Sequence, residues 1–309
     1  MPEARPGSQP GHVVVAGASG LIGRALVASL RADGIPVVRL VRREARDADE
    51  VGWDPVRTRL DPEVLAGARA VVGLNGATLG RFPWTKRYRH DLVWSRIAPT
   101  QALAAAVRAL GDDAPQFVSA SAVGYYPSRR GAVFTEQSAR GDGFLADLCG
   151  EWEHAARQGA GDRARVALLR TAPVVHADGV LKPLLTLTRL GVSGPIGGGR
   201  QAWPWISLDD EVRAIRHIVD RGLTGPVNLT GPQRATANDL GFALAVRMNR
   251  PYLVPAPAWA LRAALGPDGA DGLLTNDAHV VPEVLTASGF AFAHPTVEDA
   301  VAAAVPSAD

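Results

Sequence analysis

The chain has 309 residues, of which 47% are hydrophobic and 21% charged, with a formal net charge of +2. This apolar share excludes a disordered or collagen-like chain, and a single cysteine, Cys149, excludes an internal disulfide and points to a reducing compartment. The arginines are dispersed singly among Asp and Glu, so a pI near 9.0 gives no reason to expect a nucleic-acid partner.

Residues 1–11 are polar and proline-containing, read as a disordered tail without the apolar core of a signal peptide. No run of about 18 apolar residues follows anywhere, so neither a membrane span nor a membrane partner is expected, and the protein reads as cytoplasmic. Residues 12–17 (HVVVAG) predict a strand, and 20–33 a helix with Leu21, Ala25, Ala28 and Leu30 at helical spacing, closed by Gly34. Strands follow at 36–41 and 69–74, a long helix at 86–110, a strand at 115–121, a helix at 144–158 and a strand at 164–170. This alternation predicts an α/β fold, a doubly wound parallel sheet covered on both faces. After residue 178 the pattern loosens: 191–205 is loop-like, 209–221 a helix headed by Asp209 as N-cap, and 225–230 a late strand. The expected division is a nucleotide-binding domain over 12–178, with 206–232 returning to it. A smaller C-terminal substrate lobe takes 179–205 and 233–309.

Gly17-Ala18-Ser19-Gly20-Leu21-Ile22-Gly23 stands between the first strand and the first helix. Gly17 allows the tight turn, Gly20 lets backbone amides approach a pyrophosphate, and Gly23 lets helix and strand pack closely. The helix N-terminus adds positive potential towards the phosphates. The second strand ends at Arg42-Arg43, where an NAD site would place an acid for the ribose 2′-hydroxyl. Guanidinium groups suit a 2′-phosphate instead, so NADP(H) is the expected cofactor. Leu74, Asn75 and Gly76 end the third strand at the edge where such a ligand lies.

The stretches GASGLIG (17–23), WDP (53–55), LNGA (74–77), WSRI (94–97), SASAVGYY (119–126), GPIGGGRQAWPWISLDD (194–210) and PVNLTGP (226–232) resemble one family. These are the atypical extended short-chain dehydrogenase/reductases known as epimerase family proteins, which carry a C-terminal segment of unknown function. The resemblance covers nearly the whole chain from residue 12 and implies a Rossmann fold with NADP(H). It also implies that Arg96, with Asp91 earlier on the same helix, reaches the cofactor, and that Ser121 occupies the family's Ser/Thr position. One departure is Ala278-His279-Val280-Val281-Pro282, where the family reads Q-R-V-x-P; if that loop closes the pocket, the ligand differs.

Short-chain dehydrogenases use a Tyr and a Lys spaced Y-x-x-x-K, the lysine lowering the tyrosine pKa. The only lysines here, Lys86 and Lys182, are preceded at that spacing by Phe82 and Asp178, so the motif is absent. The usual Tyr and Lys positions fall at Leu145 and Cys149, and mid-helix Cys149 reads as packing. Ser121, Tyr125 and Tyr126 remain as candidate catalytic hydroxyls. Arg200, Trp203, Trp205 and Asp210 are candidates for the substrate side, the two tryptophans forming an aromatic wall and Asp210 an acid or base. The histidines show no metal spacing, and no metal is expected.

These observations favour an NADP(H)-dependent oxidoreductase-like enzyme acting on a small molecule, as a monomer or a homodimer, with a degenerate catalytic motif. The alternatives are a nucleotide-sugar epimerase, and a non-catalytic NADP(H)-binding regulator or natural-product tailoring enzyme.

Overall fold

The short valine-rich runs pair into one sheet because each is apolar on both sides and needs a cover on both faces. A computed structural model describes residues 11–307; the expected 1–11 tail lies almost wholly outside them. In chain order it contains β1 (Val13–Ala16), α1 (Leu21–Ala32), β2 (Val37–Val41), β3 (Glu50–Gly52), β4 (Ala70–Gly73), α2 (Lys86–Ala109) and β5 (Gln116–Ala122). There follow β6 (Val133–Phe134), α3 (Phe144–Ala160), β7 (Val166–Thr171), β8 (Val174–Val175), α4 (Leu181–Arg189), β9 (Ile206–Ser207), α5 (Leu208–Arg221) and β10 (Gly225–Leu229). The C-terminal part holds α6 (Ala237–Arg247), α7 (Ala258–Leu265), α8 (Pro267–Gly269), β11 (His279–Val280), α9 (Glu283–Ala287) and α10 (Val297–Ala304).

Seven parallel strands lie in the order β10-β7-β5-β4-β1-β2-β3. The chain turns outward in opposite directions from β1 and β4, so the crevice between their carboxyl ends is the switch point of a doubly wound sheet. Val13 pairs with Val37 on one side and Ala70 on the other, which brings the loops after β1 and β4 together. β3 is an element that composition did not signal. It is three residues long at the sheet margin, and Glu50 starts it.

α1 and α5 cover one face, joined where Arg216 donates to Ser29 Oγ at 2.7 Å and pairs with Asp33. α2 and α3 cover the other, where Trp152 Nε1 donates to Thr100 Oγ1 at 2.8 Å above a core of Leu103, Phe117 and Leu168. A separate small core gathers α4, α6 and α10 around Trp203 and Trp205. α5 starts at Ser207, whose hydroxyl accepts from the Asp210 amide, so Ser207 and not Asp209 is the N-cap. Reciprocal Thr/Asp capping boxes start α6 and α10. No described helix is long and apolar enough to cross a membrane.

Candidate functional site at the carboxyl edge of the sheet

The turn after β1 is built for close backbone approach. Gly17 has φ +81°, and a Cβ there would stand 2.7 Å from the carbonyl carbon of Leu74. A Cβ on Gly23 would stand 2.3 Å from Gly17 O. Neither position has room for a side chain. The Gly20 amide donates to Gly17 O at 3.0 Å and closes the turn. α1 then begins on Gly20 with no side-chain cap, leaving its first amides, from Leu21 to Gly23, without an intrahelical or capping partner behind exposed Ser19. Arg24 reaches back to Ser19 O at 2.8 Å. An uncapped N-terminus of a 12-residue helix behind a side-chain-free cradle fits a phosphate.

The two arginines after β2 are unlike each other. Arg43 makes a bidentate pair with buried Glu50, 2.7 Å to each oxygen, and Arg39 Nη1 stands 3.2 Å from the same carboxylate. Arg43 holds the Glu50 carboxyl down at about 2. The expected pair of phosphate-binding guanidinium groups is therefore corrected. Arg43 is committed to Glu50, whose strand the sequence reading lacked. Arg42 is exposed and has no ion-pair partner among the described residues.

After β4, the Leu74 amide donates to Ala16 O at 2.9 Å. Asn75 Oδ1 is buried with no hydrogen-bond partner. Gly76 lies against the Arg96 guanidinium, where a Cβ would be 3.1 Å from Cζ. Arg96 is buried and donates to Ala77 O (3.1 Å) and Leu92 O (2.9 Å), with its Cζ 5.2 Å from the Trp152 ring. No carboxylate lies within ion-pairing distance of it among the described residues, and burial lowers its pKa. Asp91 is not brought to it. Five residues along a helix is a rotation of about 140° past a full turn, and Asp91 is exposed.

The polar residues along and after β5 form a buried network, in which Glu136 Oε2 is left without a hydrogen-bond partner. Ser121, Arg170 and Asn228 are in register across β5, β7 and β10. Ser121 Oγ donates to Glu153 Oε1 at 2.8 Å, and Arg170 grips both oxygens of Glu153 at 2.8 and 2.9 Å. Arg170 also donates to the Tyr126 hydroxyl at 2.9 Å, which donates to Asn228 Oδ1 at 2.6 Å. The Asn228 amide in turn donates to Glu136 Oε1 at 3.0 Å.

Burial pushes the Tyr126 hydroxyl up to about 12, and both its lone pair and its proton are in use. The expectation of Tyr126 as a reacting hydroxyl is corrected on that ground. Ser121 is likewise tied to Glu153. Tyr125 lies beneath the Arg170 guanidinium, 3.6 Å from ring centroid to Cζ, and walls a cleft of about 360 Å³ with Arg140, His154 and Arg157.

Leu145 and Cys149 are packing residues. A Cβ on Gly272 would be 2.9 Å from Leu145 Cδ1, and burial pushes the Cys149 thiol up to about 12.

On the substrate side the expectations separate. Trp203 and Trp205 are buried, donating their indole N–H groups to Leu273 O (2.9 Å) and Gln233 O (3.1 Å). The crevice beside them holds about 10 Å³, too little for a ring. They fill the core of the lobe and do not form an open aromatic wall, while Arg200 is exposed.

Asp210 accepts from Ala293 N (2.7 Å), His294 N (2.9 Å), Ser207 Oγ and Arg213, so it clamps the C-terminal loop to α5 and has no lone pair left for acid–base work. Asp209, Asp210 and His294 do come within 4.8 Å of one another, but the Asp210 oxygens are already spoken for.

Sequence reading missed Glu153, Arg170, Asn228 and Glu136. Charged or amide residues inside otherwise apolar strands (ALLRT, PVNLT) were the available signal, because such groups must be paired when buried. It also missed Glu211, fully buried in the first turn of α5. Thr171 Oγ1 donates to its Oε1 at 2.8 Å, its Oε2 has no partner, and burial pushes its carboxyl up to about 8.

Comparison with known proteins covers both parts of the chain. The NAD dependent epimerase/dehydratase family model matches residues 13–229, and a domain of unknown function, DUF1731, matches 256–304. An epimerase family protein of Mycobacterium bovis is 41% identical over 291 residues, 94% of this chain and 96% of that protein. The epimerase family protein SDR39U1 of Bos taurus is 31% identical over 92% of this chain and 96% of its own length. Among solved structures, human SDR39U1 (isoform 2) with NADPH superimposes with a TM-score of 0.86 at 28% identity, covering 95% of this chain and 98% of that one. A nucleoside-diphosphate sugar epimerase of Corynebacterium glutamicum gives 0.77 at 30% identity, over 96% of this chain and 58% of that one.

Proposed function

The chain belongs to the NAD dependent epimerase/dehydratase family, and from that premise we propose that it is an NADP(H)-dependent oxidoreductase acting on a small molecule. The observation that carries the reading is the uncapped start of α1 behind Gly17 and Gly23, where a methyl group has no place and the helix amides have no partner in the fold. Human SDR39U1, similar over nearly the whole chain, was solved with NADPH.

In this reading the amides of Leu21, Ile22 and Gly23, with Ser19 and Gly20, hold the diphosphate. Arg42 takes the 2′-phosphate by charge-assisted hydrogen bonds, and Arg43 fixes the loop through Glu50. Leu74, Asn75 and Gly76 line the crevice between β1 and β4, the buried Asn75 Oδ1 being an acceptor without a donor in the protein. A bound reduced nicotinamide supplies a hydride.

Arg96 carries a buried positive charge with no carboxylate to balance it, one helix away from Cys149 at the usual lysine position. It takes over the lysine's electrostatic role from α2, while its donors to Ala77 O and Leu92 O keep the crevice in shape. Arginine stays protonated, so it orients and cannot relay a proton. Tyr125 forms part of the pocket wall, held by Arg170. Exposed Arg200 is left as the substrate-side cation.

Epimerisation needs a proton transfer in each of two half-reactions, whereas net reduction or oxidation needs one. Since Leu145, Cys149 and the engaged Tyr126 cannot supply it, the single transfer is with water, which favours net reduction or oxidation over epimerisation.

Fluorescence titration of the purified chain with NADPH and NADH tests the reading. NADPH is expected to bind at least about tenfold more tightly, a difference of roughly 1.4 kcal/mol that one charge-assisted contact can supply. Absence of NADPH binding would refute it.

A further inference from the structure

We propose that one face of the C-terminal lobe docks on an anionic lipid surface. The chain's charges are unevenly distributed: residues 181–206 and 241–266 hold Lys182, Arg189, Arg200, Arg247, Arg250 and Arg262 and no Asp or Glu. Since the whole chain is +2, these six cations leave the remainder at −4. Arg247 donates to Val305 O and Arg262 pairs with Asp271, whereas Lys182, Arg189, Arg200 and Arg250 are exposed with no carboxylate partner among the described residues.

The same segments carry eight of the eleven large hydrophobics exposed among the described residues. Leu253 (77%), Trp259 (74%) and Leu190 (70%) stand out furthest, with Phe242 and Val246 along α6. Backbone contacts hold these segments against one another. Ser193 O accepts from Leu253 N at 2.9 Å and Val254 N at 3.0 Å, and Gly197 N donates to Ala256 O at 2.8 Å. Tyr252 meets Phe242 edge-on at 6.4 Å, which joins the 251–256 run to α6. An exposed apolar patch of this extent, bordered by polar groups, marks an interaction site.

The charge decides what covers it. A second copy meeting this face with its own would set Lys182, Arg189, Arg200 and Arg250 against cations of the same kind, exposed Asp239 at the start of α6 offsetting one of them. A surface of anionic headgroups satisfies the cations while the interface region takes Leu190, Leu253 and Trp259, an environment that tryptophan prefers. The clefts beside Tyr125 and beside Trp203 are lined by other residues and lie apart from this face. The sequence reading expected no membrane partner because no segment spans a bilayer, and peripheral contact needs no span.

The full chain is mixed with phosphatidylcholine vesicles with and without phosphatidylglycerol and sedimented. Binding is expected only with phosphatidylglycerol, falling at least about tenfold on raising salt to several times physiological ionic strength, where the screening length shrinks towards about 3 Å. Leu253→Asp and Trp259→Ala, both at exposed positions, should weaken binding at least about tenfold, by loss of apolar insertion, with unchanged thermal unfolding. Arg189→Glu with Arg250→Glu should do the same. No binding to phosphatidylglycerol vesicles, equal binding to neutral ones, or self-association in sedimentation that Leu253→Asp abolishes would overturn the proposal.

Discussion

At the end of β1, helix α1 starts on Gly20 without a cap and its first amides are offered outward. At the ends of β5, β7 and β10, by contrast, Ser121, Arg170, Tyr126 and Asn228 satisfy one another through Glu153 and Glu136. Both regions lie on the same carboxyl edge, and both hold residues that read as functional by type. The difference is in what is left over. The β1 turn keeps unpartnered backbone donors. The network spends its donors on its own members, although Glu153 lines the cleft beside Tyr125 and Glu136 Oε2 is left without a partner, and its work is to fix three strands and α3 in place. A charged or hydroxyl side chain near a sheet edge is thus a weak sign of chemistry until its partners are known.

Breaking the network should cost stability and little binding. Glu153→Gln leaves buried Arg170 without its carboxylate, and the expected loss is about 3–5 kcal/mol in urea unfolding. NADPH affinity of the folded protein should stay within about twofold, since the two regions are separate and their effects add. An intact stability, or a large loss of affinity in folded protein, would erase the distinction.

Breaking the turn should cost binding first, with a smaller loss of stability. Gly23→Ala puts a methyl 2.3 Å from Gly17 O, so the turn must open. NADPH affinity should fall about a hundredfold, some 2.7 kcal/mol, in a titration of the variant. Its unfolding free energy should drop by about 1–3 kcal/mol, the usual cost of overpacking.

Glu211 falls between the two cases, with one oxygen satisfied and one orphaned. Its folded pKa, about 8, is raised above the unfolded carboxylate value, so the folded state holds a proton that the unfolded state has released. Stability contributed by this group is full at low pH and declines as pH rises from the unfolded pKa to about 8. Thermal melts from pH 5 to 9 should show that decline, and Glu211→Gln should flatten it. An identical pH profile in the variant would show that Glu211 carries no buried proton.

Much of the sheet was readable because its strands are continuous valine-rich runs and its helices keep a 3.6-residue period. β3 was not, since three residues at an edge carry no periodicity, and with it went the partner of Arg43. Trp203 and Trp205 were misplaced for a different reason. A Trp-Pro-Trp stretch beside an arginine is compatible with a pocket wall or with a small core, and only the packing of α4, α6 and α10 onto it decides. Asp210 was read as an acid or base because sequence does not show that Ala293 and His294, more than eighty residues on, donate to it. The glycine turn was legible because its requirement is local: residues six apart need the absence of a side chain, and glycine supplies that directly.

The sharpest division is between neighbouring arginines. NADPH and NADH titrated into Arg42→Ala and Arg43→Ala in parallel should give a loss of about tenfold for NADPH alone in the first. The second should keep its preference for NADPH and lose only stability, because Glu50 would lose its bidentate partner and keep only Arg39 and the Arg46 amide. The opposite pattern, with the preference vanishing on removal of Arg43 and surviving removal of Arg42, would place the extra phosphate elsewhere and undo the assignment.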